Sequence, residues 1–303
     1  MFRRRQLEEF AIERITVMAR AAGILRHQHP QLLVQGVELL DSDITTCNTL
    51  PKADFILHAA ASTDARNYLA RPQEERRNIQ AGTLNFCALA ERFCRDSRVV
   101  YASSGAVYGQ QPAALAEVPE DYAGGALSEM SPEKHDYAAA KRDGELAVSA
   151  LGKAGLSVSV ARCFAFVGPF LPRNQHFAIG NFIEDGLRGR PISVSARHSV
   201  IRSYMHADDL VRWLLLLAGL ASNECPVMNV GSDQGILIGD LAKMVARYFS
   251  VAAEVPELSS DRVDRYVPSI ERARTAGLHL HFDLKSALDR TVQSIHEYAP
   301  GIP

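Results

Sequence analysis

The sequence predicts an α/β protein built on a doubly wound parallel sheet, with a smaller lobe at its carboxyl end. Three observations carry this. Short apolar runs alternate with longer helical stretches through the first two thirds of the 303 residues. The runs are apolar throughout, as strands covered by helices on both faces are. Beyond about residue 165 the alternation loosens into a Pro/Gly-rich segment, Val167-Gly-Pro-Phe-Leu-Pro-Arg-Asn, followed by helix and short strands.

The elements follow in order. The opening Met-Phe-Arg-Arg-Arg-Gln-Leu-Glu-Glu-Phe reads as the later part of a helix, with Phe2, Leu7, Phe10 and Ala11 as its apolar stripe. Ile15-Thr-Val-Met-Ala-Arg is a strand. Val37-Glu-Leu-Leu-Asp, Asp54-Phe-Ile-Leu-His-Ala-Ala-Ala, Arg98-Val-Val-Tyr-Ala-Ser-Ser and Val158-Ser-Val-Ala-Arg-Cys-Phe are further strands. Ala81 to Cys94 and Tyr137 to Leu151 are helices between them, so the connections are right-handed crossovers. Asp283 to Tyr298 closes the chain as an amphipathic helix. Residues 1–165 form the sheet domain, to which later strands return, and residues 166–303 are mainly the lobe. No repeat or low-complexity linker interrupts them.

Composition narrows the functional classes. A hydrophobic content of 47% can bury a large core, and a net charge of −2 gives no reason to expect a nucleic-acid surface. The apolar run Trp213-Leu-Leu-Leu-Leu-Ala-Gly-Leu-Ala is too short for a membrane span and reads as a buried helix. Five cysteines without a Cys-x-x-Cys pair suit a reducing cytoplasm. His27-x-His29 and His279-x-His281 lack acidic or cysteine partners in ligand spacing, so no metal is expected.

The chemistry is concentrated in His-Asp-Tyr-Ala-Ala-Ala-Lys. Tyr137 and Lys141, four apart on a helix, share a face. A tyrosine hydroxyl with a pKa of about 10 is a poor base at neutral pH, and a neighbouring cation lowers that value. Ser104, at the end of a buried strand, can hold a substrate oxygen while tyrosine moves its proton. That set suits an alcohol becoming a ketone, whereas an isolated pair would be a solvated helix face. Gly231, Gly235 and Gly239 follow the strand Val227-Met-Asn-Val and read as a turn and helix entry. Gly180, Gly186 and Gly189 lie within or beside a helical pattern.

The chain resembles the extended short-chain dehydrogenases/reductases, specifically the nucleotide-sugar epimerase and dehydratase group. The resemblance rests on Ser104-Gly-Ala-Val-Tyr-Gly, Tyr137-x-x-x-Lys141, Arg162-Cys-Phe, Arg202-Ser-Tyr-Met-His-Ala-Asp-Asp and Asn229-Val-Gly. It implies a Rossmann-like fold, an NAD or NADP cofactor, and a nucleotide-diphosphate sugar as substrate. Such domains normally begin with a strand, a Gly-rich turn and a helix. Here the expectation is that roughly 15 to 20 residues of that unit are absent, through truncation or natural loss.

Site roles follow from the same resemblance. Ser104, Tyr137 and Lys141 are the catalytic set, with Lys141 also on the nicotinamide ribose. Asp43 and Ile44 meet the adenine edge, unless Asp43 is a turn aspartate, and Ala59, Ala60 and Ala61 leave room for the cofactor to pass. Phe164, in the Arg-x-Phe segment, joins them. Arg20 stands where an acidic residue would accept ribose hydroxyls, which leans toward the 2′-phosphate of NADP, with a loop arginine as the alternative. Arg202 meets the diphosphate, Arg265 is a weaker second candidate, and Asn181 and Phe182 lie on the nucleotide and sugar. Ala165 replaces a common asparagine, and Ile79 displaces another, with Asn78 just before it.

The 4,6-dehydratases of the group follow their catalytic threonine with Asp and Glu; Gly105 and Ala106 here transfer no proton, so C4 epimerisation or keto-sugar reduction is expected instead. The rival is a non-catalytic sugar-nucleotide-binding protein. The apolar helices around Ala81 to Cys94 and Ala138 to Leu151 either pack a homodimer, as relatives often do, or simply face the sheet.

Overall fold

The computed structural model describes residues 10–61, 70–130 and 132–298, with backbone alone for 132 and 133. Most of the helix expected at Phe2 to Ala11 lies outside these residues. Five parallel strands open the fold: β1 (Ile15–Ala19), β2 (Val37–Asp41), β3 (Phe55–His58), β4 (Arg98–Ser104) and β5 (Ser157–Cys163). The helices are α1 (Pro72–Phe93), α2 (Pro132–Lys153), α3 (Ala178–Leu187), α4 (Ala207–Leu220), α5 (Ile238–Phe249) and α6 (Leu284–Tyr298). Helix α1 begins earlier than its apolar pattern because Pro72 suits a first helical turn and Glu74 and Glu75 face the positive end of the helix dipole.

Strand pleating explains why the apolar runs are uninterrupted. Val99 and Tyr101 of β4, with Val158 and Val160 of β5, pack against Phe86 and Ala90 of α1 and Val148 and Leu151 of α2. Val100 and Ala161 point the other way, onto Trp213, Leu217 and Ala218 of α4. Trp213 and Leu217 are fully buried, which stabilises by about 1.5–3 kcal/mol for a leucine-sized side chain. Trp213, Leu215, Leu217 and Ala218 of the apolar run are therefore core; among the described residues no helix is long and apolar enough to cross a membrane. The lobe has its own core, in which Ile179 and Ile183 of α3 meet Leu241 and Val245 of α5 and Leu288 and Val292 of α6. Gly180 and Gly186 allow that contact, since a side chain at 180 would meet the Pro172 carbonyl and one at 186 the Phe249 ring.

The sheet is divided. After β6 (Ser199–Arg202) of the lobe, β7 (Val227–Val230) returns to the sheet, and the order β7-β5-β4-β3 is parallel throughout. Strands β1 and β2 pair only with each other among the described residues, in register from Ile15↔Val37 to Ala19↔Asp41. Phe55 and Leu57 of β3 are correspondingly 45% and 40% exposed. In the lobe, β6 pairs in parallel with β8 (Val263–Tyr266), setting Arg202 opposite Tyr266.

Candidate functional site

Parallel strands deliver their carboxyl ends to one edge, and the structure brings Ser104, Tyr137 and Lys141 together there. Ser104 Oγ accepts the Ala106 N–H at 3.2 Å, which starts a tight turn over Gly105–Tyr108. Tyr137 hydrogen-bonds to Ser104. The Lys141 ammonium, 4% exposed, donates to the Ala102 carbonyl at 2.7 Å and lies 5.1 Å from the Tyr101 ring and 5.8 Å from the Tyr137 ring. Burial pushes the Tyr137 phenol up to about 12, against the pull of Ser104. Desolvation prevails in this pocket, and the Lys141 ammonium beside the phenol also donates to a backbone carbonyl. Burial likewise brings Lys141 down to about 8. At neutral pH the pocket holds protonated phenols around a single lysine.

A fourth group was missed by the sequence reading. The Tyr266 hydroxyl lies 3.5 Å from Ser104 Oγ, and its ring stacks on Phe164 at 4.5 Å. A Cβ at Gly105 would stand 2.7 Å from both that hydroxyl and the Phe164 ring. Position 105 thus has no room for a larger side chain unless these two rings shift.

Beneath the hydroxyls runs a polar network, also unanticipated. Glu145, one turn beyond Lys141, accepts from Ser103 Oγ at 2.6 Å and from Arg162 Nη2 and Nε at 2.8 and 3.0 Å. Arg162 stacks on Tyr108 at 4.7 Å, and the Tyr108 hydroxyl donates to Asn229 Oδ1 at 2.8 Å. Asn229 Nδ2 in turn donates to the Val118 and Ser269 carbonyls. The Tyr-x-x-x-Lys-x-x-x-Glu spacing was the signal available for Glu145, since all three share a helix face.

On the lobe, Arg202 is held by Asp264 through two hydrogen bonds, 2.9 Å to its carbonyl and 3.0 Å to its carboxylate. Arg265 departs from expectation: its neighbours Asp264 and Tyr266 turn toward Arg202 and Ser104, so strand alternation sends it to the other face, where it reaches the Ala116 carbonyl at 3.4 Å. Phe182 faces inward. It is 5% exposed within the lobe core, because α3 turns it away from Asn181. Asn181 lines a cleft of about 440 Å³ with Arg173 and Arg188, donating to the Gln175 carbonyl and leaving its Oδ1 without a partner.

For a dinucleotide, the carboxyl edge offers exposed Ala59 and Ala60 with half-buried Ala61 after β3. Arg20 is exposed after β1 and acts on Asp43 after β2. The Asp43 carboxylate accepts from the Thr45 N–H and hydroxyl at 2.9 and 2.8 Å, so it serves the turn as well. These bonds, the backbone one first, hold its pKa below the usual range. Ile44 is half-buried against Gly82, its carbonyl fixed by Asn85 Nδ2 at 2.8 Å. Phe164 differs from expectation, being 8% exposed and packed among Tyr108 and Tyr266. Short side chains along an open strand edge, with an arginine and an aspartate beyond them and a buried lysine at the other end, fit an extended nucleotide cofactor. All five cysteines are free, and no metal-binding cluster occurs among the described residues.

A parallel α/β sheet with serine, tyrosine and lysine at its carboxyl edge, facing an arginine-bearing lobe, defines the nucleotide-binding proteins with a short-chain dehydrogenase type of site. The chain belongs to the NAD dependent epimerase/dehydratase family, whose model matches residues 5–231. Among curated relatives it is similar to UDP-glucuronic acid decarboxylase 1 of Xenopus tropicalis, 27% identical over 262 residues, which cover 85% of this chain and 60% of that protein. It thus spans about 60% of the length of the first such relatives. Among solved structures, a UDP-glucose 4-epimerase of Thermotoga maritima with UDP-glucose superposes with a TM-score of 0.78 at 18% identity, covering 97% and 94% of the two chains. A Thermus thermophilus UDP-glucose 4-epimerase complex with NAD gives 0.76 at 19%, with the same coverage.

Proposed function

We propose that the protein is an NAD(P)-dependent epimerase or keto-reductase of a nucleotide-activated sugar. The observation that carries this is the placement of Arg202 beside the hydroxyl cluster. Asp264, which holds Arg202, precedes by two residues Tyr266, which touches Ser104. Arg202 also pairs in register with Tyr266, so the guanidinium and the hydroxyl cluster are carried by the same pair of strands.

In this reading Ser104 holds the sugar oxygen and Tyr137 moves its proton. The neutral phenol is ready to protonate a keto oxygen; oxidation of the alcohol requires it first to give up its proton. Lys141 supplies the fixed positive charge, and a bound nicotinamide would accept or return the hydride. Names of the curated relatives favour a UDP-sugar. They also support a second reading, decarboxylation of a uronic acid, since oxidation at C4 places a ketone β to the departing carboxylate and needs no acid at 105 or 106. Ala59 to Ala61, Asp43, Ile44 and Lys141 are read as cofactor contacts, and Arg20 leans the choice toward NADP. Free cysteines accord with a cytoplasmic setting. The assembly is read as a homodimer through α1 and α2.

Titration of the purified protein with NAD, NADP and UDP-, dTDP-, CDP- and GDP-sugars, followed by turnover assays, tests the proposal. Tyr137→Phe is expected to lower turnover by about 10²–10⁴-fold while sugar-nucleotide binding stays within a few-fold. Near-normal turnover in that variant would sink it. Binding of a sugar nucleotide with no dinucleotide binding would favour the non-catalytic alternative.

A further inference from the structure

We infer that Asp264 is a counter-anion built into the diphosphate site, one that orients Arg202 and at the same time weakens the site's hold on the diphosphate. The inference rests on the reading of Arg202 as the diphosphate's partner.

The Arg202 guanidinium is only partly used by the protein. Nη1 donates to the Ile201 and Asp264 carbonyls, each at 2.9 Å, and Nη2 donates to the Asp264 carboxylate at 3.0 Å. A guanidinium has five N–H donors, so Nε–H and one Nη2–H have no acceptor among the described residues. Two donors on one planar group are what a phosphate accepts in a bidentate contact. Asp264 therefore contributes both a carbonyl and a carboxylate to fix the plane, and leaves two donors for a ligand.

The carboxylate also carries charge. Burial works to raise its pKa, but the hydrogen bond and charge of Arg202, with Lys134 and Arg262 nearby, hold it below the ordinary range, so it is ionised at neutral pH. Side-chain exposures of 22% for Arg202 and 25% for Asp264 leave the pair only partly screened by solvent. A phosphate accepting the remaining donors would share one guanidinium with this anion, and the two like charges would lie about 5–7 Å apart. At the effective dielectric between protein surface and water, that repulsion is worth about tenfold in affinity. Orientation and repulsion thus come from one side chain. The arrangement favours departure of the nucleotide-sugar product after reaction, because the guanidinium retains an anionic partner when the ligand leaves.

An isosteric amide separates the two contributions: Asp264→Asn keeps an acceptor for Nη2 and removes the charge. Calorimetric titration of the full chain with UDP, and with inorganic pyrophosphate as a base-independent probe, is the test. It should include wild type, Asp264→Asn, Asp264→Ala and Arg202→Ala, at low and high salt. Asp264→Asn is expected to bind both probes about tenfold more tightly, with the gain shrinking as salt rises, and Asp264→Ala to gain less because orientation is lost. Unchanged or weaker binding in Asp264→Asn, with Arg202→Ala weakened at least tenfold, would overturn the counter-anion while leaving Arg202 as the diphosphate's partner. Arg202→Ala binding like wild type, or no binding of either probe to any variant, would overturn both.

Discussion

Lys141 carries its charge into a site where it is 4% exposed, and its pKa falls from 10.5 to about 8. Below about pH 8 the lysine is protonated both folded and unfolded, and the cost of burying the charge is fully present. Between about 8 and 10.5 the unfolded chain holds a proton that the folded one has released, so this group's contribution improves as pH rises. At about 1.4 kcal/mol per unit, the cost near neutrality is roughly 3 kcal/mol. Lys141→Met is therefore expected to be more stable than wild type at pH 7 and to lose that advantage by about pH 10, read from urea midpoints. An advantage independent of pH across that range would contradict the assignment. Spacing made Tyr137, Lys141 and Ser104 legible. Tyr266 was hidden because it meets Ser104 from 162 positions away. The inward turn of Phe182 was not legible, because motif neighbours on a helix can face opposite ways.

Helix α2 sets Tyr137, Lys141 and Glu145 along one face, and β5 sets Arg162 against the last of them. The Arg162 and Glu145 side chains are 16% and 13% exposed. Removing one member of such a pair leaves the other charge buried and unpaired, at a cost of about 3–5 kcal/mol. Arg162→Ala should lose about that much in denaturant unfolding, and Glu145→Gln, which retains an acceptor for Ser103, should lose less. A loss under about 1 kcal/mol in Arg162→Ala would show that the network does not brace the site. The strands and helices could be read from their alternation because both sheet faces are covered. The starts of α1 and α2 could not, since both helices begin ahead of the apolar pattern, α1 with Pro72 in its first turn.

The homodimer reading belongs to the molecule as a whole. Helices α1 and α2 lie side by side, and Leu84 and Leu146 on them are 61% and 71% exposed, the two most exposed large apolar side chains among the described residues. A second copy packing there would cover both. Sedimentation is expected to show a dimer for wild type and a monomer for Leu146→Glu; a wild-type monomer at micromolar concentration would exclude this assembly. The lobe was the least legible region, because its boundaries depend on contacts between α3, α5 and α6 far apart in sequence.

The divided sheet spreads the proposed cofactor contacts over two separate ladders. Arg20 and Asp43 ride on the β1–β2 pair, while Ala59, Ser104 and Lys141 belong to the sheet of β3, β4 and β5 and its helix α2. Among the described residues no ladder of backbone hydrogen bonds joins the two groups. A dinucleotide reaching from one to the other would itself act as the tie, and part of its binding free energy would go into holding the two sheets in register.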